Sequence, residues 1–477
     1  MKTLLQNVDM VVTCNDKDEV LRGVDIWFED GVISHIGTHG EIADLSPHQI
    51  CGLGGDPGAR NDMENEARND VRAFDCSDMI LYPGLVNTHH HLYQYFTRNL
   101  PGVQRLELFD WLKTLYEIWK NLNADTVYYS ALCGMAELMR YGCTTCFDHH
   151  YVFPAGAGDL LGAQFAAAEQ LGIRLHACRG SMDRSVKDGG LPPDSVVQTV
   201  DEILRDSLTA IERYHDPKPF AMRQVAPAPC SPFSVSETLL RESAALARTQ
   251  GVRLHTHLCE TKDEERYVLE TTGLRPLAYM ERLGWLGADV FYAHGIHFNE
   301  AELRQLADTQ TGVAHCPCSN MKLSSGVARI PEMLALGVPV GLAVDGSASN
   351  DASNLLEEIR TAYLLHRLQW GANAPSGYDL LKMATRGSAA LLGRPELGQI
   401  GVGFAADVFA IRRSHLDLTA ALHDPMNLFG TVGWHRPCDL VFVAGECTVR
   451  DGQLMGTDEG KVSVEAQREA DRLLDFP

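Results

Sequence analysis

The chain has 477 residues, which is too long for one small core and fits one large domain of about 250–350 residues with a smaller one. Its net charge of −22 and the lack of a basic stripe argue against nucleic acid as a partner, so we expect a small-molecule ligand. The sequence shows no apolar run of the roughly 18 residues that a membrane span requires and no signal-peptide core at its start, so we expect a cytoplasmic protein without a membrane partner.

Both ends of the chain carry short β-type runs. Within residues 1–79, the stretch "GVDIWFEDGVISHIG" predicts a hairpin that turns at "EDG", and residues 396–455 repeat this style around "AGE" and "RDG". We therefore predict one small β-sandwich domain formed from both chain ends, followed by a C-terminal helix over 456–477. The polar, glycine-rich segment 51–70 predicts a surface loop.

Residues 80–395 alternate β-type runs with helix-like segments, which is the pattern of a parallel α/β fold. The β-type runs lie at 80–91, 143–150, 173–180, 223–230, 252–260, 290–298, 311–320 and 339–347. Two of the helical segments begin at the predicted N-caps Ser236 and Asn299 and are followed by Gly251 and Gly312. Eight strands, each followed by a helical stretch, predict a (β/α)8 TIM-like barrel, whose active site lies at the carboxyl ends of the strands.

Three consecutive histidines end the first of these runs, in "LVNTHHHLYQ". Because a strand alternates its side chains between two faces, His89 and His91 are expected to point one way and His90 the other. This arrangement predicts that His89 and His91 chelate a metal ion and that His90 does not.

Polar side chains also end strands five, six and eight. They are His255, His257 and Glu260 in "HTHLCE", His294 in "AHG" and Asp345 in "VDG". In a barrel these strand ends converge on one site. Nitrogen and carboxylate ligands of this kind suit Zn²⁺ or Fe²⁺ with one position left open for water. The sequence therefore predicts a catalytic metal.

The thirteen cysteines, an odd number mostly within apolar segments, indicate buried reduced thiols rather than a disulfide scaffold. Cys143 and Cys146 have the spacing of a redox motif but lie inside an apolar run. Cys316 and Cys318 lack the second cysteine pair of a structural zinc site. We interpret both pairs as parts of strand cores.

The HxH, HxHLxE, AHG and VDG motifs resemble the amidohydrolase superfamily over the whole chain. The resemblance implies one divalent metal ion, most simply Zn²⁺ with Fe²⁺ as the alternative, held by His89, His91, His257 and Asp345. His255 lies one alternation earlier and is expected to support or pack. Strand four carries neither a lysine nor an acid that could bridge a second ion, which is typical of the deaminase branch. A homodimer is compatible with the resemblance.

Within this branch, hydrolysis of an aminated heterocycle needs an activated water, a base and an acid for the ring nitrogen. Asp345 is expected to bind the metal, accept the proton of the water and pass it to the departing amine. Glu260 is expected to protonate the ring nitrogen, and His294 to position and polarise the water.

Further segments between residues 87 and 354, "RGSM" with "KDGGLPP" above all, resemble a group that comprises 8-oxoguanine deaminases, hydroxyatrazine ethylaminohydrolases and isoxanthopterin deaminases. This resemblance implies conversion of 8-oxoguanine to urate and ammonia, with Trp111 stacking on the purine and His150 and Arg179 reaching its oxygens and nitrogens. Guanine, isoxanthopterin, cytosine or a hydroxytriazine remain alternative substrates. A non-catalytic protein on the same barrel is the other alternative, against which the complete ligand set argues.

Overall fold

A computed structural model describes residues 2–38 and 71–475, so the predicted loop at 51–70 lies outside the described residues. In chain order, its strands are β1 Lys2–Val12, β2 Val20–Glu29, β3 Val32–Thr38, β4 Val71–Asp75, β5 Met79–Pro83, β6 Leu85–Asn87, β7 His90–His91, β8 Cys143–His150, β9 Arg174–Ser181, β10 Arg223–Pro229, β11 Leu254–Leu258, β12 Val290–His294, β13 Gly312–His315, β14 Val340–Leu342, β15 Asp345–Gly346, β16 Val408–Arg412, β17 Leu440–Val443, β18 Glu446–Arg450 and β19 Gln453–Leu454.

The α-helices are α1 Leu108–Trp119, α2 Ala124–Arg140, α3 Leu160–Leu171, α4 Val200–Tyr214, α5 Glu237–Gln250, α6 Lys262–Thr272, α7 Pro276–Arg282, α8 Glu300–Thr309, α9 Pro317–Lys322, α10 Ile330–Leu336, α11 Ser347–Asn350, α12 Leu355–Trp370, α13 Gly377–Lys382, α14 Ser388–Leu391, α15 Leu428–Thr431 and α16 Glu459–Leu474. Within the described part of the chain, none of the helices is long and apolar enough to cross a membrane.

Eight parallel strands form the centre of the molecule. They are arranged as two four-stranded sheets, β10-β9-β8-β6 and β11-β12-β13-β14. The amide of His257 donates to the carbonyl of Cys230 over 3.2 Å and joins β11 to the end of β10. The amide of Thr88 donates to the carbonyl of Leu342 over 3.3 Å and joins β6 to β14. The sheets thus close into the predicted (β/α)8 barrel.

The helices between the strands begin and end much as predicted. The Ser236 side chain caps α5 by accepting from the amide of Leu239, and Gly251 ends this helix in the left-handed conformation. Asn299 caps α8 in the same way. Helix α8 ends at Thr309 with Gln310 as its left-handed C-cap, so Gly312 follows the helix without capping it and is the first residue of β13.

Two predicted strand bounds were wrong. The run over 80–91 is not one strand, since β5 belongs to the terminal sheet and β6 to the barrel. Gly84 separates them where the backbone passes so close to β8 that a Cβ would lie 2.3 Å from Oγ1 of Thr144. The run over 311–320 ends at His315, because Pro317 begins α9, which places Cys318 in a helix.

Strands from both ends of the chain form one further sheet. Its order is β19-β18-β17-β16-β5-β1-β2-β3, and β4 pairs with β1. Asp30 and Gly31, with φ of 49° and 81°, form the turn of the predicted hairpin between β2 and β3. A division of this sheet into the two layers of a sandwich stays a prediction.

Among the cysteines that the structure describes, all are free thiols and most are buried, as predicted for a chain without a disulfide scaffold. Cys143 and Cys146 lie in β8 with their side chains in the core.

Candidate metal centre and active site

The four predicted metal ligands lie together at the carboxyl ends of the barrel strands. Nε2 of His91 is 3.2 Å from Nε2 of His257 and 3.2 Å from Oδ1 of Asp345. Nε2 of His89 is 3.4 Å from the same carboxylate oxygen. Ligands at about 2.0–2.1 Å around a tetrahedral ion are separated by about 3.3–3.4 Å, so this donor set fits a divalent metal.

Hydrogen bonds behind the ligands direct the correct ring nitrogens toward this point. Nδ1 of His91 donates to the carbonyl of His149 over 2.7 Å, and Nδ1 of His257 donates to the carbonyl of Cys230 over 2.6 Å. Because a carbonyl can only accept, the proton of each ring resides on Nδ1. The lone pair of each Nε2 is therefore free for a metal ion.

His255 directs the ring of His89 in the same way, through a hydrogen bond to Nδ1 of His89. Nδ1 of His255 donates to the carbonyl of Phe291 over 3.0 Å, which leaves its Nε2 to accept from Nδ1 of His89 over 2.8 Å. Nε2 of His89 then carries a lone pair, is fully buried, and has no hydrogen-bond partner among the described residues. An orphaned buried nitrogen of this kind is what a metal ion would satisfy. The structure thus places His255 in a supporting position.

His90 turns away from this cluster, as strand alternation predicts. Its Nε2 is 3.0 Å from Oγ of Ser353, on the far side of the short strand β7. His90 and its neighbour His91 pair with Asp345 and Gly346 of β15. His91 is thus the diagonal neighbour of Asp345 across this ladder, and its ring reaches the Asp345 carboxylate while the ring of His90 points elsewhere.

This division of roles predicts unequal effects of alanine substitution in the triplet. His89→Ala and His91→Ala are expected to lose the metal ion, whereas His90→Ala is expected to retain it and to lower stability by about 1–3 kcal/mol through the lost bond to Ser353. Metal content by elemental analysis after dialysis, together with thermal unfolding, measures both effects. Ser353→Ala is the matched control and should reproduce only the stability loss. Equal metal loss in all three histidine variants would contradict the alternation.

Glu260 and His294 stand beside the ligand cluster. Oε2 of Glu260 is 3.6 Å from Nε2 of His294, which in turn is 3.9 Å from Oδ2 of Asp345. Burial raises the pKa of the Glu260 carboxyl above its ordinary value, which favours a protonated carboxyl that can act as an acid. The structure thus brings the three predicted catalytic residues into one row.

The backbone around these residues is held in strained conformations. His294 and Asp345 have φ of 73° and 64°, which costs a non-glycine residue about 1–3 kcal/mol each. The carboxylate of Glu264 accepts from the amides of Cys259 and Glu260, both over 2.9 Å, and fixes the loop that carries Glu260. This rigidity positions the side chains before any ligand arrives.

The outer oxygen of Asp345 is held by hydroxyl groups. Oγ of Ser319 donates to Oδ2 of Asp345 over 2.5 Å, and Oγ of Ser349 is 3.3 Å from the same oxygen. Nδ1 of His294 lies 2.9 Å from Oδ1 of Asn320, the residue next to Ser319. The start of α9 therefore orients both Asp345 and His294.

Sequence reasoning missed His149. Its ring stacks on that of His257 with centroids 4.9 Å apart, and its nitrogens lie close enough to those of His89, His91 and His257 to form part of one ligand group. Nε2 donates to the carbonyl of Ala228 over 2.9 Å, so Nδ1 carries a lone pair, and it has no partner among the described residues. Strand alternation along β8, applied to "CFDHH", would have found it on the inward face.

Trp111 lines the pocket that also contains this row of residues, and its substrate role stays a prediction. Gln94 lines the same pocket and was not predicted. Within the described chain, Nε1 of Trp111 and both amide atoms of Gln94 are buried without hydrogen-bond partners. Such groups are costly unless a ligand or water satisfies them, so this part of the pocket wall favours a guest that carries hydrogen-bonding groups.

The structure places His150 and Arg179 away from this pocket. Nε2 of His150 donates to the carbonyl of Val152 over 2.8 Å, because strand alternation points it outward from the barrel. The Arg179 guanidinium stacks on Phe153 at 3.7 Å and pairs with Asp206 over 3.2 Å. Arg179 therefore forms a structural ion pair here, and the expectation that these two side chains reach the substrate does not agree with their positions.

Residues 80–457 match the sequence model of the Amidohydrolase family. The chain belongs to this family. This amidohydrolase is 46% identical to the 8-oxoguanine deaminase of Pseudomonas aeruginosa over 385 residues, which cover 81% of this chain and 85% of that protein. It is 40% identical to the hydroxydechloroatrazine ethylaminohydrolase of Pseudomonas sp. strain ADP over 465 residues, which cover 96% of this chain and 92% of that protein.

Solved structures agree with the fold and the metal centre. The atrazine chlorohydrolase TrzN from Arthrobacter aurescens TC1, solved in complex with zinc, superimposes with a TM-score of 0.89 at 30% identity, covering 98% of this chain and 100% of that one. The relatives are thus deaminases and hydrolases of heterocycles. Together with the ligand cluster, they identify a divalent-metal site in this amidohydrolase.

Proposed function

We propose that this protein is a zinc-dependent aminohydrolase that converts 8-oxoguanine and water to urate and ammonia. The observation that carries the reaction class is the row of Glu260, His294 and Asp345, which lines one pocket beside three imidazoles with free Nε2 atoms. A divalent ion at these ligands would supply activation of water near neutral pH. The substrate is supported by the relative at 46% identity.

The carboxyl groups divide the proton transfers between them. Asp345, with Oδ2 held by Ser319 and Oδ1 facing the histidines, accepts a proton from the attacking water. Glu260 donates its proton to the ring nitrogen next to the attacked carbon, which draws electron density away from that carbon. His294, between both carboxyl groups, holds the water in line. The proton on Asp345 then passes to the amino group, and the hydroxyl proton of the tetrahedral carbon returns to Glu260, so ammonia leaves as the carbonyl forms.

The pocket wall supports a planar heterocycle that carries both donors and acceptors. The amide of Gln94 offers one donor side and one acceptor side, which complements the adjacent ring N–H and carbonyl of a purine lactam. Trp111 offers a flat face and one unpaired N–H. The space between the side chains is ≈ 30 Å³, room for about two water molecules, so a bicyclic ring can bind only when the pocket widens.

Gln94→Leu tests this recognition. The variant has nearly the same shape but cannot hydrogen-bond, so kcat/KM for 8-oxoguanine is expected to fall about 10–100-fold with metal content unchanged. Steady-state kinetics with urate detected by ultraviolet absorbance measures the effect, and thermal unfolding controls for the fold. An unchanged kcat/KM would remove Gln94 from the substrate contacts.

A hydroxytriazine aminohydrolase is the second candidate. It is favoured by the 40% identity to the hydroxydechloroatrazine ethylaminohydrolase over 96% of this chain. A hydroxytriazine offers the same ring nitrogen, amino substituent and lactam edge to Glu260 and Gln94. A single ring is also smaller and needs less opening of the pocket.

Ammonia release by the metal-loaded protein from 8-oxoguanine, guanine, isoxanthopterin, cytosine and hydroxyatrazine tests the proposal, with ethylamine release followed for hydroxyatrazine. Preference for 8-oxoguanine, with stoichiometric urate, is the expected result. Preference for hydroxyatrazine would select the second candidate and leave the proton transfers intact. No turnover of any ring by protein with bound zinc would refute both. Elemental analysis of the purified protein tests zinc against iron.

A further inference from the structure

A second recess lies at the opposite mouth of the barrel, where the strands begin. It has a volume of ≈ 440 Å³, and its wall includes His176 of β9, Gln224 of β10, Arg253 just before β11, and Arg248 with Asp289. The metal centre uses the carboxyl ends of the strands, so the two sites are separated by the length of the barrel interior. The proposed deaminase reaction makes no use of this recess.

His176 is the most unusual group in its wall. The side chain is buried, with 2% of its surface exposed, yet neither ring nitrogen has a hydrogen-bond partner among the residues that the structure describes. It stands beside Phe147 on one neighbouring strand and Gln224 on the other. A buried imidazole always has one N–H to donate, so its polar edge requires a partner that the protein itself does not provide.

The charged groups around His176 are mainly cationic. Arg253 donates to the carbonyls of Ala288 and Ala390, and no described carboxylate lies within salt-bridge distance of it. Arg248 is neutralised by Asp289 at 3.0 Å. Burial, followed by the positive charges of Arg394, His215 and Arg253, lowers the pKa of His176 well below its ordinary value. Since Arg394 is paired with Glu396 over 2.6 Å, Arg253 is the arginine that no described carboxylate neutralises, and it gives the recess a positive charge in a chain of net charge −22.

The backbone keeps the Arg253 guanidinium in this place. Gly393, with φ of 69°, forms part of the wall, and a Cβ at this position would lie 2.3 Å from Nη2 of Arg253. Any larger residue would displace the guanidinium. The glycine thus leaves room for a guanidinium that has no carboxylate partner among the described residues, beside an imidazole that has no hydrogen-bond partner there.

We propose that this recess binds a small oxyanion, with Arg253 and His176 as its donors. A tetrahedral phosphate group suits a planar guanidinium fork and an imidazole N–H, which together supply charge-assisted hydrogen bonds. The volume leaves room beside the anion, so the group can be free phosphate or the phosphate of a small metabolite. The amide of Gln224 lies in the same wall and adds a further polar contact.

Isothermal titration of inorganic phosphate into the metal-loaded protein, at constant ionic strength set with sodium chloride, tests the proposal. We expect saturable binding that Arg253→Met weakens at least about tenfold, since one charge-assisted bond is lost. Arg241→Met, at an exposed arginine of α5 that does not line the recess, is the matched control and should bind normally. His176→Phe keeps an aromatic ring without donors and should also weaken binding, with thermal unfolding verifying the fold.

The outcomes separate this recess from the metal centre. Phosphate binding that survives Arg253→Met but disappears on metal removal would place the anion at the metal and overturn the proposal, as would the lack of saturable binding. A parallel titration with ribose 5-phosphate, which has no heterocycle for the deaminase pocket, distinguishes free phosphate from a phosphorylated metabolite as the natural ligand. Tighter binding than inorganic phosphate identifies a phosphorylated metabolite, and equal or weaker binding identifies the free anion.

Discussion

Glu260→Gln is expected to lower kcat by about 10²–10⁴-fold while the protein keeps its metal ion. The glutamine has the same size and can still accept from Ser325, whose Oγ lies 3.4 Å from Oε1 of Glu260. It cannot deliver a proton to the ring nitrogen, because an amide is not an acid near neutral pH. Steady-state kinetics of the proposed deamination and elemental analysis of the same sample measure the two halves of this expectation.

A matched control for this variant is available in the helix that follows. Glu270→Gln changes an exposed carboxylate of α6 in the same chemical way and should leave kcat unchanged. Near-normal turnover of Glu260→Gln would show that another group supplies the proton. Loss of metal from this variant would instead show that Glu260 holds the ion, although it is not among the described residues whose ligand atoms lie together.

Asp345→Asn is expected to weaken both metal retention and catalysis. The neutral amide is a poorer ligand between His89 and His91 and cannot accept the proton of the water, so kcat is expected to fall at least about 10²-fold even at saturating metal. Titration with zinc, followed by kinetics at each metal concentration, separates the weaker binding from the slower chemistry.

Asp308→Asn, an exposed change on α8, controls for the loss of one negative charge. If added zinc restored full activity to Asp345→Asn, Asp345 would be a ligand without a role in proton transfer. If the variant kept its metal through dialysis but did not turn over substrate, Asp345 would be needed for proton transfer but not for holding the metal.

Much of the candidate site could be predicted, because its residues lie at the carboxyl ends of the barrel strands. Alternation along one strand separated His90 from His89 and His91, and the barrel topology brought His257, Glu260 and Asp345 to them across long sequence distances. These are properties of backbone geometry, which a sequence pattern records directly.

Side chains that depend on packing were harder to predict. His150 and Arg179 carry the right chemistry for a purine, but alternation and the neighbouring Asp206 turn them outward. Gln94 gives no signal in the sequence, because only the lack of hydrogen-bond partners for its buried amide among the described residues marks it. The first apolar run divides at Gly84 because the backbone there packs closely against Thr144. Thr144 lies sixty positions further along the chain, so a local sequence pattern does not reveal this contact.

The pairing of β7 with β15 gives the metal centre a second significance. His91 and Asp345 come from opposite ends of the barrel segment. The pairing of their strands, β7 with β15, is also the seam at which the barrel closes. The Asn87 side chain reinforces this seam by accepting from the amide of Val344 over 2.9 Å. A divalent ion bound by His91 and Asp345 would therefore link the first and the last strands of the barrel segment. The side chains proposed to hold the catalytic ion would therefore also help to hold the barrel closed.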